Sequence, residues 1–307
     1  MRIAVADLGT NSTRLLIADA EPGAPPREVS RHTTVTRLGE GVDASGQLSP
    51  AAVERVAAAV AGYRELADAA GAQRRIAVAT SAVRESANGS DLTDLLRDRH
   101  GFDVRTIDGD EETRLTFLGA TAGRAAHPDG DTLVVDIGGG STEFVAGRPV
   151  AAPAFHVSTR LGSVRQTERH LAHDPPHHHE LEQLADEACA TIADAVGPSV
   201  RERVGEILAC AGTATSLAAI DLELDPYDPD QVDGHRLELA TCERILARLA
   251  QVDVDHRRRT VGLLPDRAPT IVAGVVILVE ALRLFGVPVC EVSEADILDG
   301  AAIDAVS

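Results

Sequence analysis

The apolar positions of this chain fall into short runs broken by glycine-bearing turns, and one arrangement of them occurs twice. Residues 3–5 lead through Asp7-Leu8-Gly9-Thr10-Asn11-Ser12 to a second apolar run, Leu15-Leu16-Ile17. Residues 133–135 lead through Asp136-Ile137-Gly138-Gly139-Gly140-Ser141-Thr142 to Phe144-Val145. Unbroken apolar runs of this length predict buried strands, and the Gly/Asn/Ser clusters between them predict tight turns. Each segment therefore reads as a hairpin with an aspartate at the strand end. The second follows the first by about 130 residues, a domain's length, which predicts two related domains.

The remaining pattern alternates between strand and helix periods. Residues 27–38 read as a third strand, and 50–70 as an amphipathic alanine-rich helix closed by Gly71. A buried strand is expected at 75–80, a helix at 91–100 closed by Gly101, a strand at 104–107, and a helix at 110–124 whose acidic first turn suits the helix dipole. Further on, 163–171, 179–196, 239–250 and 270–285 read as helices. Residues 206–211 form a strand running into Gly212-Thr213-Ala214-Thr215-Ser216 and another helix, and 287–292 a last strand before a C-terminal helix. The alternation predicts an α/β protein. The small-residue stretch at 123–130 is the expected boundary, dividing the chain into 1–124 and 125–294, with a helix at about 295–307 free to pack back on the first domain.

Composition narrows the chemistry. The 307 residues carry a formal net charge of −19, and all 29 basic residues are arginine. Without lysine there is no Schiff-base chemistry and no P-loop lysine. An acidic chain lacks the basic stripes that bind nucleic acid by counterion release. Asp7 inside the first apolar run excludes a secretory signal, and the apolar stretch at 268–279 is too short to span a bilayer. Four dispersed cysteines with no Cys-x-x-Cys pair fit a reducing cytoplasm better than a disulfide framework or zinc knuckle.

Glycine turns after buried strands let backbone N–H groups approach an anion. Three such turns occur, at Gly9, at Gly138–Gly140 and at Gly212, the last also opening a helix. Aspartates ending two equivalent strands beside such turns suggest a hard divalent cation together with phosphate.

Read together, Asp7-Leu8-Gly9-Thr10-Asn11-Ser12, Ala79-Thr80-Ser81-Ala82-Val83-Arg84, Asp108-Gly109-Asp110-Glu111-Glu112-Thr113-Arg114-Leu115 and Val135-Asp136-Ile137-Gly138-Gly139-Gly140-Ser141-Thr142-Glu143 resemble the exopolyphosphatase/guanosine pentaphosphate phosphohydrolase (Ppx/GppA) family in its short two-domain form. Gly212-Thr213-Ala214-Thr215-Ser216 and Arg267 with Ile271-Val272-Ala273-Gly274 continue the match in order, while Glu294-Ala295-Asp296-Ile297-Leu298-Asp299-Gly300 departs from the family's Gly-Leu-Arg-Glu-Gly pattern. The resemblance implies two ribonuclease-H-like domains of the actin/hexokinase/Hsp70-like superfamily around an interdomain cleft. It also implies Mg²⁺-dependent removal of the terminal phosphate of inorganic polyphosphate, with orthophosphate as product.

Carried over by position, the resemblance makes Glu112 the general base that activates water. A glutamate at its ordinary pKa is ionised at pH 7. Asp7, Asp136 and Glu143 match magnesium ligands. Arg84 matches the arginine that meets phosphate, and Asn11, Ser12, Gly138, Gly139, Ser141, Gly212 and Thr213 supply neutral donors. Arg160, Arg165 and Arg267 are read either as further polyanion contacts or as ordinary ion-pair partners.

Two other features read as bystanders. In His173-Asp174-Pro175-Pro176-His177-His178-His179-Glu180, adjacent histidines on a loop cannot all converge on one ion, so a solvated loop is expected. Arg257-Arg258-Arg259 lacks the interleaved aromatics of a nucleic-acid site.

The expected partners are therefore polyphosphate or guanosine pentaphosphate, the latter a stringent-response nucleotide. No nucleic acid and no membrane are expected, with room for a homodimer. A small-metabolite kinase and a non-catalytic sensor of polyphosphate or guanosine tetraphosphate stay open as readings from other classes.

Overall fold

The computed structural model describes residues 1–149 and 151–307. The chain divides into two compact units, Met1–Arg124 with Ala295–Ser307, and Ala125–Glu294.

In the first unit, strands β1 (Arg2–Leu8), β2 (Ser12–Asp19), β3 (Arg27–Val35), β4 (Arg74–Ala79) and β5 (Asp103–Thr106) form one sheet of order β3-β2-β1-β4-β5. The first three make an antiparallel meander, and β4 and β5 run parallel to β1. The second unit holds β6 (Asp131–Ile137), β7 (Thr142–Gly147), β8 (Phe155–Thr159), β9 (Val204–Cys210), β10 (Arg236–Glu238) and β11 (Val289–Val292), in the order β10-β11-β9-β6-β7-β8. Meander plus two parallel strands recurs, with β10 added antiparallel at the edge. Both units are thus ribonuclease-H-like α/β sheets.

Both central hairpins are buried along most of their length because both faces of each sheet are covered. In β1, Ala4, Ala6 and Leu8 join one core cluster with the helix Pro50–Ala69, while Ile3 and Val5 join another with Leu115, Ile297 and Leu298. Asp7 has the parity of Ile3 and Val5, so it lies on the face covered by the helices Gly109–Ala120 and Ile297–Asp304.

Those two helices meet backbone to backbone. A Cβ on Gly119 would lie 1.9 Å from the Asp296 carbonyl oxygen, and one on Gly300 would lie 1.8 Å from that of Leu115. Only glycine permits this approach.

Some boundaries differ from the sequence expectation. The third strand ends at Val35 rather than 38, because the N–H groups of Thr36 and Arg37 turn to donate to the Asn11 carbonyl, with Arg37 at φ +47°. Strands β8 and β10 were not expected. The first is only partly buried and the second is three residues long, so neither has an apolar alternation to reveal it.

Candidate active site

In the first unit the β1–β2 turn is closed by the Gly9 N–H donating to the Ser12 carbonyl (3.1 Å), and a Cβ on Gly9 would lie 2.9 Å from that oxygen. The turn's outer carbonyls are tied back: Thr10 O accepts from Gly39 N–H (2.8 Å), and Asn11 O from Thr36 (3.1 Å) and Arg37 (2.8 Å). The C=O and N–H of a trans peptide point in opposite directions. The Asn11 N–H is therefore directed away from these anchors.

The hairpin register pairs Asp7 with Arg14. Arg14 donates from Nε (3.0 Å) and Nη2 (2.7 Å) to Asp7 Oδ2, and from Nη1 to Asp296 just ahead of the C-terminal helix. Asp296 and Asp299 are in turn held by Arg31. Burial raises the pKa of Asp7 against the pull of Arg14, with Asp296 adding to the rise. Asp7 Oδ1 and Ser12 Oγ are buried with no hydrogen-bond partner among the described residues. Buried polar atoms left unpaired cost free energy, and a ligand that meets them recovers it.

Glu112 sits in the first turn of Gly109–Ala120, whose N-cap Asp108 accepts from the Glu111 N–H (2.8 Å). It is 7% exposed, and Arg84 Nη1 donates both to its Oε2 (2.7 Å) and to the Ile107 carbonyl (3.0 Å). Burial raises its pKa to about 7; Arg84 opposes the rise, and the negative charges of Asp7 and Glu85 add to it. This corrects the expectation of a glutamate at its ordinary pKa. Loss of hydration disfavours the carboxylate by more than one arginine restores.

The second unit repeats the turn. The Gly138 N–H donates to the Ser141 carbonyl (3.0 Å). Every carbonyl from 138 to 140 is then tied down: Gly138 O by Ser163 N–H (2.9 Å), Gly139 O by Val164 (2.9 Å) and Arg165 (3.1 Å), and Gly140 O by Arg165 Nε (2.8 Å). A Cβ on Gly162 would lie 2.3 Å from the Gly139 carbonyl oxygen, so this packing also requires glycine. By the same trans-peptide geometry the N–H groups of Gly139, Gly140 and Ser141 face the other way, with no partner among the described residues. Successive backbone donors on one side of a turn are the kind of arrangement that meets an anion. Arg165 therefore supports the turn from behind.

Here the register pairs Asp136 with Glu143. Both are buried, and Glu143 Oε1 also accepts from Ser158 Oγ (2.7 Å). One hairpin position thus carries an Asp–Arg pair in the first unit and an Asp–Glu pair in the second. Like charges directly opposite disfavour each other, so the second pair suits a cation. A hard dication that takes one or two carboxylates fits this donor set.

At the third turn, Ala211 adopts φ +61° and leads into Ala211–Asp221. A Cβ on Gly212 would fall 1.3 Å from Arg267 Nη1, so the guanidinium lies directly on that glycine. Thr213 is buried with its side chain against Gly274, where it fills a helix contact. Tyr227 is near Arg267 and hydrogen-bonds Glu294; its pKa is raised by burial and by Glu294.

The structure therefore brings Asp7, Asn11, Ser12, Arg84 and Glu112 together in the first unit. Asp136, Gly138, Gly139, Ser141 and Glu143 gather in the second, with Gly212 and Thr213 at a separate turn of that unit. Sequence reasoning missed Arg14 and Asp296. Arg14 was discoverable, since Asp7 to Arg14 and Asp136 to Glu143 have the same seven-residue spacing across homologous turns. Asp296 is remote in sequence and gave no signal.

A sequence profile of the Ppx/GppA phosphatase family matches residues 16–305. The chain belongs to this family. It is 35% identical to exopolyphosphatase 2 of Mycobacterium tuberculosis over 98% of both chains, and 30% identical to exopolyphosphatase 1 of Mycobacterium bovis over 95% of this chain and 84% of that one. Among solved structures, an exopolyphosphatase-like protein superposes with a TM-score of 0.90 at 31% identity, covering 100% of this chain and 99% of its own. The Ppx/GppA family member of Aquifex aeolicus gives 0.82 at 28% identity, covering 100% and 97%. Both superpositions cover the whole of this chain and so include its two glycine turns that follow the buried strands β1 and β6. Among the described residues no helix is long and apolar enough to cross a membrane.

Proposed function

We propose that this protein is an exopolyphosphatase that hydrolyses the terminal phosphoanhydride of inorganic polyphosphate in the presence of Mg²⁺. The observation that carries the reading is Glu112: a buried carboxylate with a pKa near 7, one oxygen held by Arg84 and Asp7 close enough to shift it. A base works best when its pKa lies near the working pH.

In the reaction, Glu112 Oε1 accepts a proton from water as the water oxygen bonds to the terminal phosphorus. The bridging P–O bond breaks, and the shortened chain leaves with its electrons. Arg84, whose Nη1 orients Glu112, offers its remaining N–H groups to the terminal phosphate. Each unit has phosphate donors of its own: the N–H groups of Gly139, Gly140 and Ser141 in the second, and Asn11 and Ser12 in the first. Such transfer needs positioning and charge stabilisation above all.

Asp136 and Glu143, set opposite each other by the hairpin register of the second unit, would hold Mg²⁺. When bound, the ion neutralises charge on the phosphate oxygens. On a chain of net charge −19 it also offsets repulsion of a polyanion. Asp136→Asn is expected to raise the Mg²⁺ concentration giving half-maximal phosphate release by about tenfold or more. A metal titration of activity checks this, and an unchanged midpoint would remove the pair from the role.

The four cysteines are free thiols, which supports a cytoplasmic setting. Orthophosphate release from short polyphosphate, long polyphosphate, guanosine pentaphosphate and ATP tests the substrate. Release from polyphosphate should dominate, and activity confined to nucleotides would overturn the assignment.

A further inference from the structure

The histidine-rich run of the second unit is exposed, as expected, and is anchored at one buried carboxylate. It connects the helices Ser163–His170 and His178–Ala195, and there His173, His177 and Glu180 converge. His173 Nδ1 lies 2.9 Å from Glu180 Oε1, and the rings of His173 and His177 stack with centroids 3.8 Å apart. One ligand atom from each of the three residues lies within 4.8 Å of the other two. The expectation that adjacent histidines cannot share an ion holds for His178, which turns away to Glu182. His173 and His177 have three residues between them, which lets their rings stack at the helix start.

Glu180 is the fixed point. It is 4% exposed, and the N–H groups of Ala172 (2.9 Å) and His177 (2.7 Å) anchor its two oxygens. His173 and the two backbone donors all address this one carboxylate. The backbone bonds also orient the carboxylate, as outer-shell partners orient metal ligands. The His177 side chain and the Glu180 carboxylate form the capping box of this helix, and capping does not require the His173 imidazole that meets the same carboxylate.

We propose that His173, His177 and Glu180 form a binding site for a transition-metal dication such as Zn²⁺. Two imidazoles and a carboxylate suit zinc, and are unlike the all-oxygen sets of Mg²⁺ and Ca²⁺. Tetrahedral zinc with bonds of about 2.0–2.2 Å places its ligand atoms roughly 3.4 Å apart. The two exposed histidines reach this by small side-chain shifts while Glu180 stays in place. A fourth position is left to water or to His179, whose ring lies 5.6 Å from that of His177. Bound metal would pin the loop to the start of His178–Ala195. The same loop is held from its other side, where Asp174 pairs with Arg257 and accepts from the Val254 N–H. The role is structural and independent of the phosphatase reading.

The test is calorimetric titration of the chelator-stripped full chain with Zn²⁺ in excess Mg²⁺, alongside the visible spectrum with Co²⁺. One equivalent should bind and give tetrahedral Co²⁺ absorption. His173→Ala and His177→Ala should each weaken binding by about tenfold or more. His178→Ala should leave it unchanged, and Mg²⁺-dependent phosphate release should be unaffected by all three. Absence of saturable binding in the parent chain would overturn the proposal. So would equal weakening by His178→Ala, or binding that survives the His173→Ala/His177→Ala double variant.

Discussion

Glu112→Gln is expected to lower kcat for phosphate release by about 10²–10⁴-fold, the range that a positioned base contributes. The substitution is nearly isosteric, and the amide oxygen still accepts from Arg84, so folding is preserved. The parent enzyme should also show an acid limb in kcat/KM. The ionised carboxylate is the base, so activity is present above the pKa of about 7 and falls about tenfold per pH unit below it. The variant's residual activity should lack this limb. Single-turnover phosphate release across pH 5–9 would measure both. Full activity in the variant, or an unchanged limb, would assign the proton to another group.

Gly119→Val should produce the largest loss of stability. Its Cβ would fall 1.9 Å from the Asp296 carbonyl and 2.6 Å from the Gly300 nitrogen, both backbone atoms that no rotamer change can move. Overpacking of this kind costs about 1–3 kcal/mol, and a backbone clash belongs at or above the upper end. The C-terminal helix must then lift from Gly109–Ala120, taking with it Asp296, the partner of Arg14, which holds Asp7. A lowered urea midpoint and lost phosphate release should appear together, with Gly119→Ala falling between. A normal midpoint would mean that the helices do not touch through these glycines.

Both hairpins of the candidate site were legible because period, turn chemistry and the terminal aspartate all lie within about a dozen residues. Glu112 was legible only through its motif, since an acidic helix start is common for dipole reasons alone. Its pKa was not legible at all. Burial sets it, and burial depends on what the rest of the unit places around the first turn of the helix. Thr213 shows the opposite limit: its motif position suggested a phosphate donor, whereas Gly274, 61 positions later, decides that its side chain packs.

The sequence by itself determined the α/β class, the duplicated hairpin, the glycine turns and the residues able to carry phosphate chemistry, because these follow from local periodicity and backbone sterics. Tertiary structure alone decided charge and protonation. Asp7 faces Arg14 and Asp136 faces Glu143 through strand register; Asp296 reaches Arg14 from the far end of the chain; and His173, His177 and Glu180 meet where a loop folds onto a helix start. Electrostatic free energy depends on distance and burial, and neither is set by position along the chain.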